Sequence, residues 1–273
     1  MKDITTLAFS IAIFIFGTII GSFLNVLIYR LPIGMDFKKG KSICPHCNHN
    51  LVWKDLFPLF SFIFLNGKCR YCKTKISAQY PIVEALNGAL YVCAYIFLCG
   101  GNGIKGITIS MLGYFIATSA LILIIWIDFK HQIIPDSTWI AIFVGGVLIV
   151  LDSVINGRFD VKDLIARIIG IFAVAGVLLI IGMVSKGGAM GGGDVKLMAA
   201  AGFFLGWKLV IIAFLLGALV GTIYLLVTRA VKKGNMKAQV PFGPHLAAGI
   251  FLTMYFGSRL LTEYMAFVTM QLQ

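Results

Sequence analysis

Acidic side chains are scarce in this 273-residue chain: eleven Asp and Glu stand against 23 Lys and Arg. Charge of either sign makes up only 12% of the residues, while 59% are hydrophobic and the mean hydropathy is +0.95. That composition excludes an ordinary soluble domain and implies an integral membrane protein. With so few carboxylates, each one near membrane depth needs a reason. Several catalytic signatures are missing too. The chain has no H-E-x-x-H, no G-x-S-x-G and no G-x-x-x-x-G-K-[ST], since residues 191–196 lack the spacing for the last. Zinc-protease, nucleophilic-serine and phosphate-loop schemes are thereby disfavoured. The net charge of +12 would point to nucleic acid in a soluble protein, but the placement of loops about a bilayer accounts for it, and no nucleic-acid partner is expected.

What is present is a series of long apolar runs. Residues 4–29 are long enough to cross roughly 30 Å of hydrocarbon as a helix. They exceed a signal-peptide core, and no small-residue cleavage site precedes Arg30, so this run is expected to remain as the first span. Residues 30–79 form the one long polar segment, rich in Lys and Arg, and the positive-inside rule makes it cytoplasmic with the N-terminus outside. Further runs cover 81–99, 107–127, 137–155, 164–184, 195–206, 207–228 and 245–268. The expected fold is therefore all-α: a polytopic membrane helical bundle of about eight spans with a small cytoplasmic loop domain. Its divisions are a first span (1–29), the loop (30–79) and the remaining bundle (80–273). Run 195–206 is the weak member, because twelve residues rise only about 18 Å. Parity still favours its crossing, since sixteen of the 23 Lys and Arg then lie inside and seven outside.

That topology puts Asp128, after the third run, and Asp194, after the fifth, on the same cytoplasmic side, where they can share one site. Ionisable residues at the edge of a membrane helix are functional candidates, although each could instead be a solvated helix end. Asp194 closes a glycine-rich stretch, 185–196, at the start of an apolar run. There the helix dipole and Lys196 favour its charged form, whereas the C-terminal dipole opposes a charged Asp128. One ionised and one protonated carboxylate is the equipment of an aspartic protease, in which one takes a proton from water and the other donates to the scissile carbonyl. Asp136 follows Pro135 where the next helix begins and reads as an N-cap. The rival reading is a proton- or ion-coupled transporter, which also uses paired carboxylates. It predicts an internal repeat and broken helices near mid-membrane; no repeat is evident, and these carboxylates lie at span ends.

Cys44-Pro-His-Cys47 and Cys69-Arg-Tyr-Cys72 give the clearest spacing in the chain. Two C-x-x-C pairs separated by 21 residues read as a tetrahedral zinc site of four thiolates. Two disulfides are the alternative, but a reducing cytoplasm disfavours them. A closed site of this kind leaves no position for substrate, so the metal is structural. His46 and His49 adjoin the first pair, and either offers a nitrogen in place of a thiolate. Cys93 and Cys99 fall in an apolar run and read as small core residues. His131 and His245 read as loop or helix-end residues.

Together these motifs resemble those of the type IV prepilin peptidases. The matching features are Gly21-Ser-Phe-Leu-Asn-Val-Leu-Ile-Tyr-Arg-Leu-Pro32, the two cysteine pairs, Tyr80-Pro-Ile-Val-Glu84, Ile127-Asp128 with Ile134-Pro-Asp136, and residues 191–196. They run in the family's order across nearly the whole chain. The resemblance implies a bifunctional enzyme of the bacterial inner (cytoplasmic) membrane, serving pilus, secretion and competence systems. Such an enzyme cuts prepilin or pseudopilin precursors after a glycine that joins a short basic leader to a hydrophobic helix. It then methylates the new amino terminus with S-adenosylmethionine. The family's catalytic aspartates match Asp128 and Asp194, and an aspartate also stands in the family at the place of Asp136. Gly67, Lys68 and Glu84 match family positions, and with Lys196 they are supporting or methyl-transfer candidates. The methyl donor's site is not legible, because no Rossmann-type glycine fingerprint follows a strand. Neither the specific prepilins nor the oligomeric state can be read from the residues.

Overall fold

A computed structural model describes residues 2–36, 42–185, 191–231 and 241–271. The chain divides into two compact units, residues 1–111 and 112–273. The described residues are helical apart from loops and two isolated β-bridges. In the first unit α1 (Lys2–Arg30) packs along α3 (Gln79–Cys93), and the short α2 (Phe60–Phe64) lies in the segment between them. Apolar surface cannot by itself join two helices in lipid, so polar side chains and small residues do it. Buried Asn87 donates through Nδ2 to the Gly17 carbonyl at 2.7 Å, and Asn25 does the same to Tyr80 at 3.1 Å.

The second unit holds most of α4 (Ile109–His131), then α5 (Asp136–Ile155), α6 (Val161–Ala173), α7 (Ala175–Val184), α8 (Gly192–Leu205), α9 (Trp207–Val231) and α10 (Gly243–Gln271). The short α8 is the hub, packing on α5, α6, α7, α9 and α10. Apolar on most sides, it buries Leu197, Met198, Ala200, Ala201, Gly202, Phe203 and Phe204, as a helix without a polar face must. Its crossing with α6 is so close that a Cβ on Gly170 or Gly202 would strike the other's backbone. At its far end Arg167 of α6 donates through Nη1 to the carbonyls of Phe203 (3.2 Å) and Phe204 (2.6 Å). A cation thus satisfies the last carbonyls just where Gly206, at φ +85°, stops the helix.

Six helical stretches among the described residues are long and apolar enough to cross a membrane: Ile4–Ile33, Gln79–Leu98, Ile109–His131, Asp136–Ile155, Val161–Val184 and Trp207–Ala230. The chain is an all-α, multi-pass membrane protein. The other two runs of the expected eight correspond to α8 and α10. At 14 residues α8 rises only about 21 Å. The 29-residue α10 has the length but carries Arg259 and Glu263. The fifth run is two helices, α6 and α7, meeting at Val174.

Candidate functional site

Asp128 lies in the last turn of α4, and Gln132, in a left-handed conformation (φ +53°), ends that helix with its N–H on the Asp128 carbonyl. Asp128 is only 5% exposed, and its side chain accepts a hydrogen bond from the backbone N–H of Gly243, at the start of α10. The approach leaves no room for a side chain: a Cβ on Gly243 would stand 2.6 Å from Asp128 Oδ2 and 3.1 Å from Ile134 Cδ1. Ile134 also touches the opposite element, because a Cβ on Gly193 would meet its Cβ at 3.0 Å. Asp194 is the third residue of α8. Its N–H donates to the Gly191 carbonyl at 3.1 Å, and its carboxylate accepts from the Gly191 N–H. This reciprocal closure satisfies two of the helix's orphan groups. The half-buried Asp194 carboxylate lies within electrostatic reach of Asp128. The end of α4, the Ile134 turn, the start of α8 and the start of α10 thus converge on one pair of carboxylates. Residues 186–190 of the glycine-rich stretch lie outside the described residues.

Two neighbours differ from the sequence-based expectation. Asp136 does not cap α5, whose N-cap is Pro135 without a side-chain hydrogen bond. It accepts instead from Lys196 Nζ at 2.7 Å and from Trp139 Nε1 at 2.7 Å, so the start of α5 is tied to α8 just past its first turn. Lys196 is therefore engaged with Asp136 and not with Asp194. Gly243 was missed altogether: its Pro-flanked position in Pro241-Phe-Gly-Pro244 marks a helix start, but nothing local indicates its distant partner. His245, in the same first turn of α10, is 3% exposed with Nδ1 against the Pro241 carbonyl at 2.9 Å.

In the first unit the four cysteines converge. One ligand atom from each of Cys44, Cys47, Cys69 and Cys72 lies within 4.8 Å of all the others, and Cys44 Sγ and Cys72 Sγ are 3.9 Å apart. Four thiolates about 2.3 Å from a zinc ion in a tetrahedron stand about 3.8 Å from one another, so the residues fit that metal. The two halves are built alike. In one, Cys44 N–H bonds His49, Asn48 N–H returns to Cys44, Leu51 N–H bonds Ser42, and Ile43 bridges Asn50. In the other, Cys69 bonds Thr74, Lys73 returns to Cys69, Ile76 bonds Gly67, and Lys68 bridges Lys75. Asn48 and Lys73 both take positive φ, 55° and 58°. The electrostatics favour a cation at the centre. Hydrogen bonding from Thr74 pulls the Cys72 thiol down to about 6. Cys47 is held up at about 11: although the His49 backbone favours its thiolate, desolvation and the neighbouring Cys44 and Cys72 oppose it.

Gly67, at φ +65°, turns the chain out of α2 into the second knuckle, with its N–H on Phe62 at 2.8 Å and the Phe62 ring where a Cβ would go. Lys68 is exposed. Glu84 is buried in α3 and accepts from the Leu59 N–H at 2.8 Å and from Ser22. A depression of about 250 Å³ is lined by Trp53, Lys54, Phe57, Phe60, Ser61, Phe64, Leu65 and Arg70.

Residues 15–98 match the Bacterial Peptidase A24 N-terminal domain, and residues 115–226 match the Type IV leader peptidase family. A prepilin leader peptidase/N-methyltransferase of Aeromonas hydrophila is 31% identical, over 93% of this chain and 92% of its own. Proteins of the same name from Burkholderia pseudomallei (strain 1026b) and Bacillus subtilis (strain 168) are 34% and 31% identical, each over 92% of this chain and over 86% and 96% of their own. No solved structure matches. With the four-cysteine unit inside one matched region, the paired aspartates inside the other, and likeness to these relatives running almost end to end, the chain belongs to the prepilin leader peptidase/N-methyltransferase family.

Proposed function

We propose that this protein is a membrane aspartic endopeptidase that removes the basic leader of type IV prepilins or pseudopilins at the cytoplasmic face of the bacterial inner membrane. The observation that carries this reading is the convergence of Asp128 and Asp194 from the ends of two different helices, with Gly243 against Asp128 and Ile134 beside both Gly243 and Gly193. Two neighbouring carboxylates share a proton more readily than both ionise. The ionised member takes a proton from water as that water adds to the scissile carbonyl, and the protonated member donates to the carbonyl oxygen; the proton taken from water then passes to the departing amine. No covalent enzyme intermediate forms. The Gly243 N–H holds the Asp128 carboxylate, and the Gly191 N–H holds that of Asp194. Lys196 pairs with Asp136 where α5 and α8 meet and takes no direct part in the chemistry.

The same protein N-methylates the newly exposed amino terminus, with S-adenosylmethionine as donor; Gly67, Lys68 and Glu84 support that activity through the first unit. Zinc on Cys44, Cys47, Cys69 and Cys72 supplies folding energy to the cytoplasmic loop and no chemistry to either reaction. Detergent-solubilised protein incubated with a prepilin and a labelled methyl donor, with cleavage and methylation scored separately, tests this assignment. We expect both activities; intact substrate after incubation with zinc-loaded protein in lipid would refute it.

A further inference from the structure

Between the two cysteine knuckles runs an apolar segment that its own unit does not cover. Residues 56–65 read Leu-Phe-Pro-Leu-Phe-Ser-Phe-Ile-Phe-Leu. Within and just before this segment Trp53 is 72% exposed, Phe57 54%, Phe60 53%, Ile63 66% and Phe64 80%. The rings gather on one side, with the centroids of Phe57 and Phe60 5.6 Å apart and those of Phe60 and Phe64 6.3 Å apart. Contiguous apolar patches of this kind mark contact sites when they face water.

Three observations say what covers this one. The Leu59 N–H, at the entry to α2, is bonded at 2.8 Å to Glu84, which lies five residues past the start of both α3 and the candidate span Gln79–Leu98. At 1.5 Å per residue the bond holds α2 about 7–8 Å along the span from its cytoplasmic end. An interfacial segment carries its apolar face about 5–10 Å into the boundary between headgroups and acyl chains, so the level is right. The second observation is composition, since the apolar face of an interfacial segment is rich in Trp, Phe and Leu. The third is charge. Lys54, whose Nζ lies 5.6 Å from the centre of the Trp53 ring, and Arg70 rim the aromatic depression, and Lys68, Lys73 and Lys75 are exposed on the same loop. Asp55, beside them, is occupied by Arg70 at 2.6 Å and Tyr71 at 3.1 Å.

We propose that residues 53–65 are an interfacial anchor which lies on the protein's own membrane, with Phe57, Phe60, Ile63 and Phe64 at the acyl boundary and Lys54 among anionic headgroups. The anchor rests on the membrane-spanning character of α1 and α3 and is independent of the peptidase reading. It keeps the four-cysteine loop flat against the bilayer.

The test uses the full-length, zinc-loaded protein in nanodiscs of phosphatidylcholine and phosphatidylglycerol. A benzoylphenylalanine photo-cross-linker is placed at Phe64, at Phe57, or at Lys73 on the second knuckle as a control, with zinc content verifying each fold. Adducts with lipid, read by mass spectrometry, should form at positions 64 and 57 at about tenfold the yield at 73, as expected for a face held at interfacial depth. Removing phosphatidylglycerol should lower those yields about threefold, as expected for attraction of basic residues to an anionic surface. Lipid adducts at 64 and 57 no more abundant than at 73, or cross-links at these positions to a second copy of the chain, would overturn the anchor. A yield unchanged without phosphatidylglycerol would overturn the role of Lys54.

Discussion

A methyl group on Gly243 would crowd the very carboxylate that the Gly243 N–H holds. Gly243→Ala should therefore move Asp128 without removing it, and misplacement of a reacting group by about 1 Å costs on the order of 10²-fold. We expect cleavage to fall about 10- to 100-fold while zinc content and the thermal midpoint stay near those of the parent; full activity would show that the contact is idle. Asp136 has the opposite character. Its ion pair with Lys196 is 51% and 64% exposed on the two sides, and such pairs contribute about 0–1 kcal/mol. Asp136→Asn should keep cleavage within about tenfold in a steady-state assay with intact prepilin. Loss as deep as at Asp128 would mean that this bridge sets the position of Asp194. At this scale the sequence was readable where partners are close in the chain: C-x-x-C spacing alone points to the metal cluster. It was unreadable where they are distant. Lys196 was paired with Asp194 because they are neighbours, yet residues i and i+2 of a helix do not face each other, and the actual partner, Asp136, lies three helices earlier, in α5.

The element whose existence was hardest to read is α8. Its hydropathy marks a run at 195–206, but the helix starts at Gly192 and so takes Asp194 into its first turn. Nothing apolar signals that start; glycines do not look like helix until a carboxylate closes them. Likewise the break at Val174 is hidden because the residues that flank it on both sides are apolar. What lets so short a helix persist is burial by five neighbours and Arg167 on its last carbonyls. Arg167→Gln should leave those carbonyls short of a donor and cost about 1–3 kcal/mol, seen as a lower thermal midpoint in detergent. An unchanged midpoint would show that water replaces the guanidinium. For the cysteine knuckles, the parent should bind one zinc ion per chain, and Cys44→Ser with Cys47→Ser should abolish it and expose the loop to proteolysis, since metal binding energy is folding energy here. Elemental analysis of reduced, purified protein decides this directly, and a parent without zinc would refute the site.

For the molecule as a whole, composition already declared a helical membrane protein, because 59% hydrophobic residues and 12% charged leave no other solvent for long apolar runs. The number of crossings was less legible, since α8 is buried by protein rather than defined by the width of the bilayer. Topology also bears on the substrate. On the proposed mechanism, a cleavage junction between a basic leader and a hydrophobic helix would reach Asp128 and Asp194 if that helix lies in the bilayer and the leader stays cytoplasmic. The enzyme's net charge of +12 gives it little attraction for a basic leader. Prepilins with neutralised leaders should thus be cut within about tenfold of normal, and short soluble peptides spanning the junction only poorly; equal rates for peptide and intact prepilin would exclude docking through the membrane. On the proposed mechanism two aspartates perform the cleavage, and nothing else in the protein replaces them. Asp128→Asn and Asp194→Asn, each reconstituted in lipid with verified zinc content, should be assayed for cleavage of intact prepilin and, separately, for methylation of an already processed pilin. Each substitution should lower cleavage by about 10²- to 10⁴-fold while methylation persists. Cleavage retained by either variant would contradict the two-aspartate site.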